Sequence, residues 1–164
     1  MRILYAFMIS ILCACNGVQV KGESTELPVK DSVDKPTIAS VKKRLTDQGY
    51  QIFDYVDEQT GDTILMQQYF IAFLKSGPNR SQSKEVADSL QRLHLAHLGR
   101  MYEAGYADIS GPFGDDGEIR GITIYNVPTQ KMADSLAGLD PMVRSGRLVI
   151  EIHPWWAAKG FPLR

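Results

Sequence analysis

Two histidines and a pair of aspartates are the residues of this sequence best suited to moving protons. His94 and His97 stand three residues apart towards the end of an amphipathic stretch, and Asp115-Asp116-Gly117 forms an acidic turn downstream. A histidine titrates near neutral pH, so it can take and return a proton at useful rates. A carboxylate beside it would fix its tautomer and stabilise the imidazolium, which gives Asp115 or Asp116 a role. Each residue also has a purely structural reading. His94 could be a partly buried helix residue with an ordinary hydrogen bond, and His97, nearer the middle of the apolar stripe, a core or interface histidine. Asp116 directly precedes Gly117, a pair favoured in hairpin turns by backbone geometry alone, which leaves Asp115 freer. His153, beside Trp155 and Trp156, reads as structural, although the aromatics could wall a pocket.

Other chemistries lack their residues. His94 and His97 have no evident third ligand and the H-E-x-x-H pattern is absent, so no metal site is expected. There is no G-x-S-x-G elbow or phosphate loop, and the glycines at 111, 114, 117 and 121 do not follow G-x-G-x-x-G spacing. No cofactor is expected.

The elements that must position these residues follow from periodicity and punctuation. Thr37 can cap a short helix carrying Ile38, Val41 and Leu45, with Gly49 as its stop; Lys42, Lys43 and Arg44 read as a solvated face. Tyr50–Val56 suits a strand, residues 57–62 a turn, and Thr63–Lys75 a long strand. Within it Tyr69–Leu74 is apolar without alternation, the mark of a central strand buried on both faces. Helices would cover one face, and a second subunit is a candidate for the other. Ser81 or Ser83 can cap the next helix, whose stripe is Val86, Leu90, Leu93, His97, Met101 and Ala104, with His94 at its edge and Gly105 as its end. Tyr106–Phe113 and Ile119–Val127 read as strands joined through a tight Asp116-Gly117 hairpin. Pro128-Thr129 opens a helix with Met132, Leu136 and Leu139 on its inner face, and Asp140-Pro141 breaks it. Residues 142–146 form a turn or short helical piece. Arg147–His153 is the last strand, with Leu148, Ile150 and Ile152 facing one way and Val149, Glu151 and His153 the other. The order is β-α-β-β-α-β after an N-terminal helix and strand: an α+β, ferredoxin-like arrangement with its first and third strands central.

With 164 residues, 44% of them hydrophobic and 23% charged, the chain has enough for one domain with a real core. A net charge of −1 argues against a nucleic-acid partner. Met1-Arg2 and the apolar run from Ile3 to Ala14 have the make-up of a signal peptide, too short to span a bilayer. The run ends Leu12-Cys13-Ala14-Cys15, which resembles a bacterial lipobox; cleavage before Cys15 would leave that cysteine to carry the lipid. Both cysteines lie in this segment, so disulfides and thiolate chemistry are excluded from the body. The expected division is a leader over 1–14, a tether over 15–36, a helix-and-strand extension over 37–62, the core domain over 63–157 and a tail over 158–164. The expected location is the bacterial cell envelope, membrane-anchored through the N-terminal lipid and facing the periplasm or cell exterior.

The residues His94-Leu95 with Gly105, then Gly111-Pro112-Phe113, Asp115-Asp116-Gly117 and Arg120-Gly121, later Asp140-Pro141 with Gly146, and finally His153-Pro154-Trp155-Trp156, resemble the YCII-related (YciI-like) family over about residues 67 to 157. The resemblance implies a ferredoxin-like fold that pairs into a dimeric α/β barrel, with the open faces of two sheets packed together. It also implies a His-Asp pair in a cleft. In family register His94 carries the match, with Asp115 and Asp116 as its candidate partners. The implied activity is cofactor-independent acid/base chemistry of isomerase or lyase type on a small molecule. The alternative is a non-catalytic dimeric lipoprotein module that binds a small molecule or a partner.

Overall fold

One long strand carries the architecture. In the computed structural model, which describes residues 36–163, β2 runs over Thr63–Ser76 and pairs with three other strands. β1 (Ile52–Val56) pairs antiparallel with its first residues and β4 (Ile119–Tyr125) with its last. β5 (Leu148–Ala158) runs antiparallel along Met66–Ser76, and β3 (Ala107–Pro112) pairs with β4. The four strands after β1 therefore lie in the order β5-β2-β4-β3, all antiparallel. With a helix after β2 and another after β4, this is the ferredoxin-like α+β fold, with the first and third strands of the motif in the middle.

The helices start where side chains cap them. Thr37 caps α1 (Ile38–Asp47), Ser83 caps α2 (Lys84–Glu103), Thr129 caps α3 (Gln130–Ala137) and Asp140 caps α4 (Pro141–Arg144). Each cap oxygen accepts from a backbone N–H that the first turn leaves unpaired.

Alternation along β2 sorts the core. Phe70 and Ala72 face α2 and α3, packing with Met101, Ala107, Tyr125, Val127, Ala133 and Ala137. Leu74 continues this face into a cluster with Met142 and Leu148. Ile150 and Ile152 point the same way from β5, as the sequence predicts. The opposite face carries Leu65, Gln67, Tyr69, Ile71 and Phe73. α1 lies over one end of it: Lys42 Nζ meets Asp54 Oδ1 at 2.6 Å, and Asp54 stands opposite Leu65. The N-terminal extension thus belongs to the sheet and covers part of its second face, for which the sequence makes a second subunit a candidate.

Two elements differ from expectation. β5 continues through Pro154-Trp155-Trp156 to Ala158, where a domain end was expected. As an edge strand it tolerates proline, and Trp156 packs edge-on against Phe53 at 4.9 Å, linking β5 to β1 across β2. The β3–β4 connection is not a two-residue hairpin. Gly117 has no positive φ, so the turn that an Asp-Gly pair favours is absent, and a longer loop spans residues 113–118. The leader, the tether, Cys13 and Cys15 lie outside the described residues.

Candidate active site

α2 brings His94 to the inside of the molecule. The stripe that faces inward is Ala87, Leu90, His94, His97, Leu98 and Met101, while Val86 and Leu93 are about half exposed. The helix is therefore turned by about one residue from the phase that apolar residues alone indicate, and His94 sits on the buried face instead of at its edge. His94 is 9% exposed and His97 only 2%.

The carboxylate beside His94 is Asp140. Its Oδ2 lies 2.5 Å from His94 Nδ1, and its Oδ1 accepts from the Met142 N–H at 2.8 Å. Asp140 is 2% exposed, so the pair is withdrawn from water. Burial pushes the Asp140 carboxyl up. The hydrogen bonds from His94 and the Met142 amide, with the nearby imidazoles, outweigh burial and leave it below its ordinary value. The carboxylate therefore stays ionised at neutral pH and can accept Nδ1–H, which directs the lone pair of a neutral His94 to Nε2.

Asp115 and Asp116 are not the partners of His94. Asp115 is exposed and accepts the Gly117 N–H at 3.2 Å, a local turn bond. Asp116 is fully exposed and lies 3.6 Å from Arg120. Both belong to a loop whose own backbone geometry and a surface ion pair account for them. His97 has the core position expected of it: burial lowers its pKa, a shift that Asp140 opposes and Arg100 and His94 reinforce. His153 lies exposed on β5 with Glu151 Oε1 at 2.7 Å and Phe73 edge-on at 5.8 Å, on the face away from His94.

His94 lines a cavity of about 490 Å³ between α2 and the β2-β4-β3 part of the sheet, closed at one end by α4 and the start of β5. Leu74, Leu95, Leu98, Met142 and Leu148 give it an apolar wall. Ser110 adds a hydroxyl, bonded to Thr123 at 3.0 Å. Gly121 keeps the floor flat: a Cβ there would stand 2.6 Å from the Gly111 carbonyl oxygen. The volume is that of an ordinary small-molecule site. No cluster of metal-binding side chains occurs among the described residues.

No protein-family model and no curated protein matches the chain. Among solved structures, a 5-chloro-2-hydroxyhydroquinone dehydrochlorinase from Burkholderia phenoliruptrix, in complex with 2,5-dihydroxybenzoquinone, is similar to it. The likeness covers 53% of this chain and 92% of that one, at 19% identity and a TM-score of 0.42. A likeness at that level says nothing about substrate.

Proposed function

We propose that this protein is a YCII-like, cofactor-independent acid/base enzyme of isomerase or lyase type, acting on a small molecule with His94 as the proton-transfer group. The observation that carries the reading is the buried His94–Asp140 contact on the wall of the cavity. Asp140 holds Nδ1, so Nε2 is the nitrogen left for chemistry. Nε2 would take a proton from a carbon beside a carbonyl, sending the electron pair to the carbonyl oxygen. The imidazolium formed is stabilised by the adjacent carboxylate. Returning the proton to another carbon completes an isomerisation; loss of a leaving group completes an elimination.

Solvent-deuterium exchange into a panel of small carbonyl compounds, followed by NMR, tests this without knowing the substrate. Wild type should exchange at least one compound, and His94→Gln should lower that rate by about 100-fold or more. Equal exchange by the two proteins would remove His94 from the mechanism.

The lipid anchor is a separate proposal, resting on Leu12-Cys13-Ala14-Cys15. Among the described residues no helix is long and apolar enough to cross a membrane. Cys15→Ala should shift the protein from the membrane to the soluble fraction and abolish acyl labelling; a protein that is never labelled refutes the anchor.

A further inference from the structure

Three arginines from three separate segments line the cavity that holds His94. Arg80 comes from the β2–α2 loop, Arg147 from the turn before β5 and Arg120 from β4. Arg120 reaches this side through an irregularity in the strand. Leu74 stands opposite Gly121 and Lys75 opposite Ile119, so Arg120 is an extra residue in the pairing with β2. A bulge of this kind re-aims a side chain. Regular alternation would put Arg120 on the face of Ile122 and Ile124; instead it lines the cavity, and Ile119 lines the opposite face of the sheet.

The three guanidinium groups are held by neutral oxygens more than by acids. Arg80 donates to Ser76 Oγ at 2.9 Å, Arg147 to Gln82 Oε1 at 3.0 Å, and Arg120 to the Gly117 carbonyl at 3.1 Å. Among the described residues neither Arg80 nor Arg147 forms a salt bridge, and the Asp116 partner of Arg120 is fully exposed. The lining carboxylate, Asp88, is engaged by Lys84 at 2.6 Å. Oriented guanidinium groups, two of them without an acidic partner among the described residues, set on a largely apolar wall, match a planar or tetrahedral oxyanion attached to an apolar body.

We propose that the cavity binds a small molecule with an apolar body and an anionic oxygen group, a carboxylate or a phosphate, which Arg80, Arg120 and Arg147 recognise while His94 faces the reacting carbon. This names the substrate class of the site proposed above and rests on that site being the substrate cavity. The anion fixes the orientation, and its distance from His94 Nε2 selects the carbon that exchanges its proton.

Binding of benzoate, phenyl phosphate and uncharged benzamide, read by calorimetry and amide NMR shifts, tests the proposal. Benzoate or phenyl phosphate should bind at least about tenfold more tightly than benzamide, a preference that weakens with salt. Whichever anion is preferred identifies the group. Arg80→Gln and Arg147→Gln should each remove most of that preference, and Arg80→Lys should restore part of it. Benzamide binding as tightly as either anion, an anion preference unaffected by the arginine variants, or no saturable binding of any probe overturns the proposal. The same probes added to Asp140→Asn separate it from the acid/base reading, because anion preference should persist there. Anion preference in a wild type that exchanges no deuterium would refute the acid/base reading alone. Exchange into neutral compounds as fast as into their acidic counterparts would refute the anion proposal alone.

Discussion

Asp140 uses its two carboxylate oxygens for two purposes, and substitutions can separate them. Oδ1 caps α4 through Met142 N–H, and Oδ2 holds His94. Asn retains a cap oxygen but cannot accept Nδ1–H in the same way once its amide nitrogen faces the ring. Asp140→Asn should therefore keep most of the stability and lower proton exchange by about 100-fold. Asp140→Ala loses the cap and strands a buried imidazole, and should cost about 2–4 kcal/mol in urea unfolding. Because the folded Asp140 value is depressed, its contribution is present above the unfolded carboxyl value of about 3.9 and fades as pH falls through the lower folded one. His97 also has a depressed folded value, through burial, but here the favoured form is neutral. Below about pH 6.5 the unfolded chain binds the proton that folded His97 refuses, so stability falls as pH drops towards the folded value. The slope attributable to His97 is at most about 1.4 kcal/mol per pH unit. Unfolding measured across that window should show it in wild type and lose it in His97→Gln, whatever the variant's absolute stability.

The two turns that carry Arg80 and Arg147 are bound to each other through backbone, beside the side-chain bonds of Asn79 to the Ser145 carbonyl and of Arg147 to Gln82. Gly77 N–H donates to the Arg147 carbonyl and Asn79 N–H to the Gly146 carbonyl, both at 3.0 Å. A Cβ on Gly77 would lie 2.2 Å from the Gly146 oxygen and 2.8 Å from the Arg147 carbonyl carbon, and neither can yield without opening the crossing. Gly77→Ala should cost about 2–4 kcal/mol in urea unfolding and weaken binding in the cavity. Gly99→Ala is the control: it sits in α2 with nothing within 4 Å and should stabilise by about 0.5–1 kcal/mol. The element order was legible in the sequence because its signals are local: caps at Thr37, Ser83 and Thr129, and a long apolar strand at Tyr69–Leu74. The phase of α2 was not. Counting apolar residues puts Leu93 inside, yet the inner face meets an aspartate and admits the polar His94. The partner of His94 was missed for a related reason. Asp140-Pro141 reads as the end of α3, and it is also the start of α4, with aspartate at the cap and proline in the first turn. That signal could have placed one oxygen of Asp140, but only the fold brings the other to a histidine 46 residues away.

At the scale of the molecule, the helices are divided unequally between the faces of the sheet. α2 and α3 cover one face, and α1 covers only the β1 end of the other. Beyond α1, Ile71 and Phe73 of β2, Ile122 of β4 and Val149 of β5 are half-buried or exposed, with His153 and Glu151 beside them. An apolar strip of this kind on an antiparallel sheet loses free energy to water unless something covers it. A second copy of the chain fits the need: its strip has the same shape, and a two-fold axis would lay apolar centre against apolar centre and let α1 of each copy flank the contact. Sedimentation velocity of wild type should then report twice the chain mass. Phe73→Lys tests the surface with little harm to the protomer, because Phe73 stands directly opposite Glu151 on β5 and a lysine there meets a carboxylate in the monomer. In a dimer the same lysine is pressed into the apolar centre, where burying its charge is costly. The variant should sediment as a monomer with an unchanged circular dichroism spectrum. A wild type that is monomeric at assay concentration, or a Phe73→Lys protein that stays dimeric, would show that this face is not where two copies meet. Since the cavity lies on the helical side of the sheet, monomeric Phe73→Lys should still bind benzoate or phenyl phosphate if one protomer supplies the whole site.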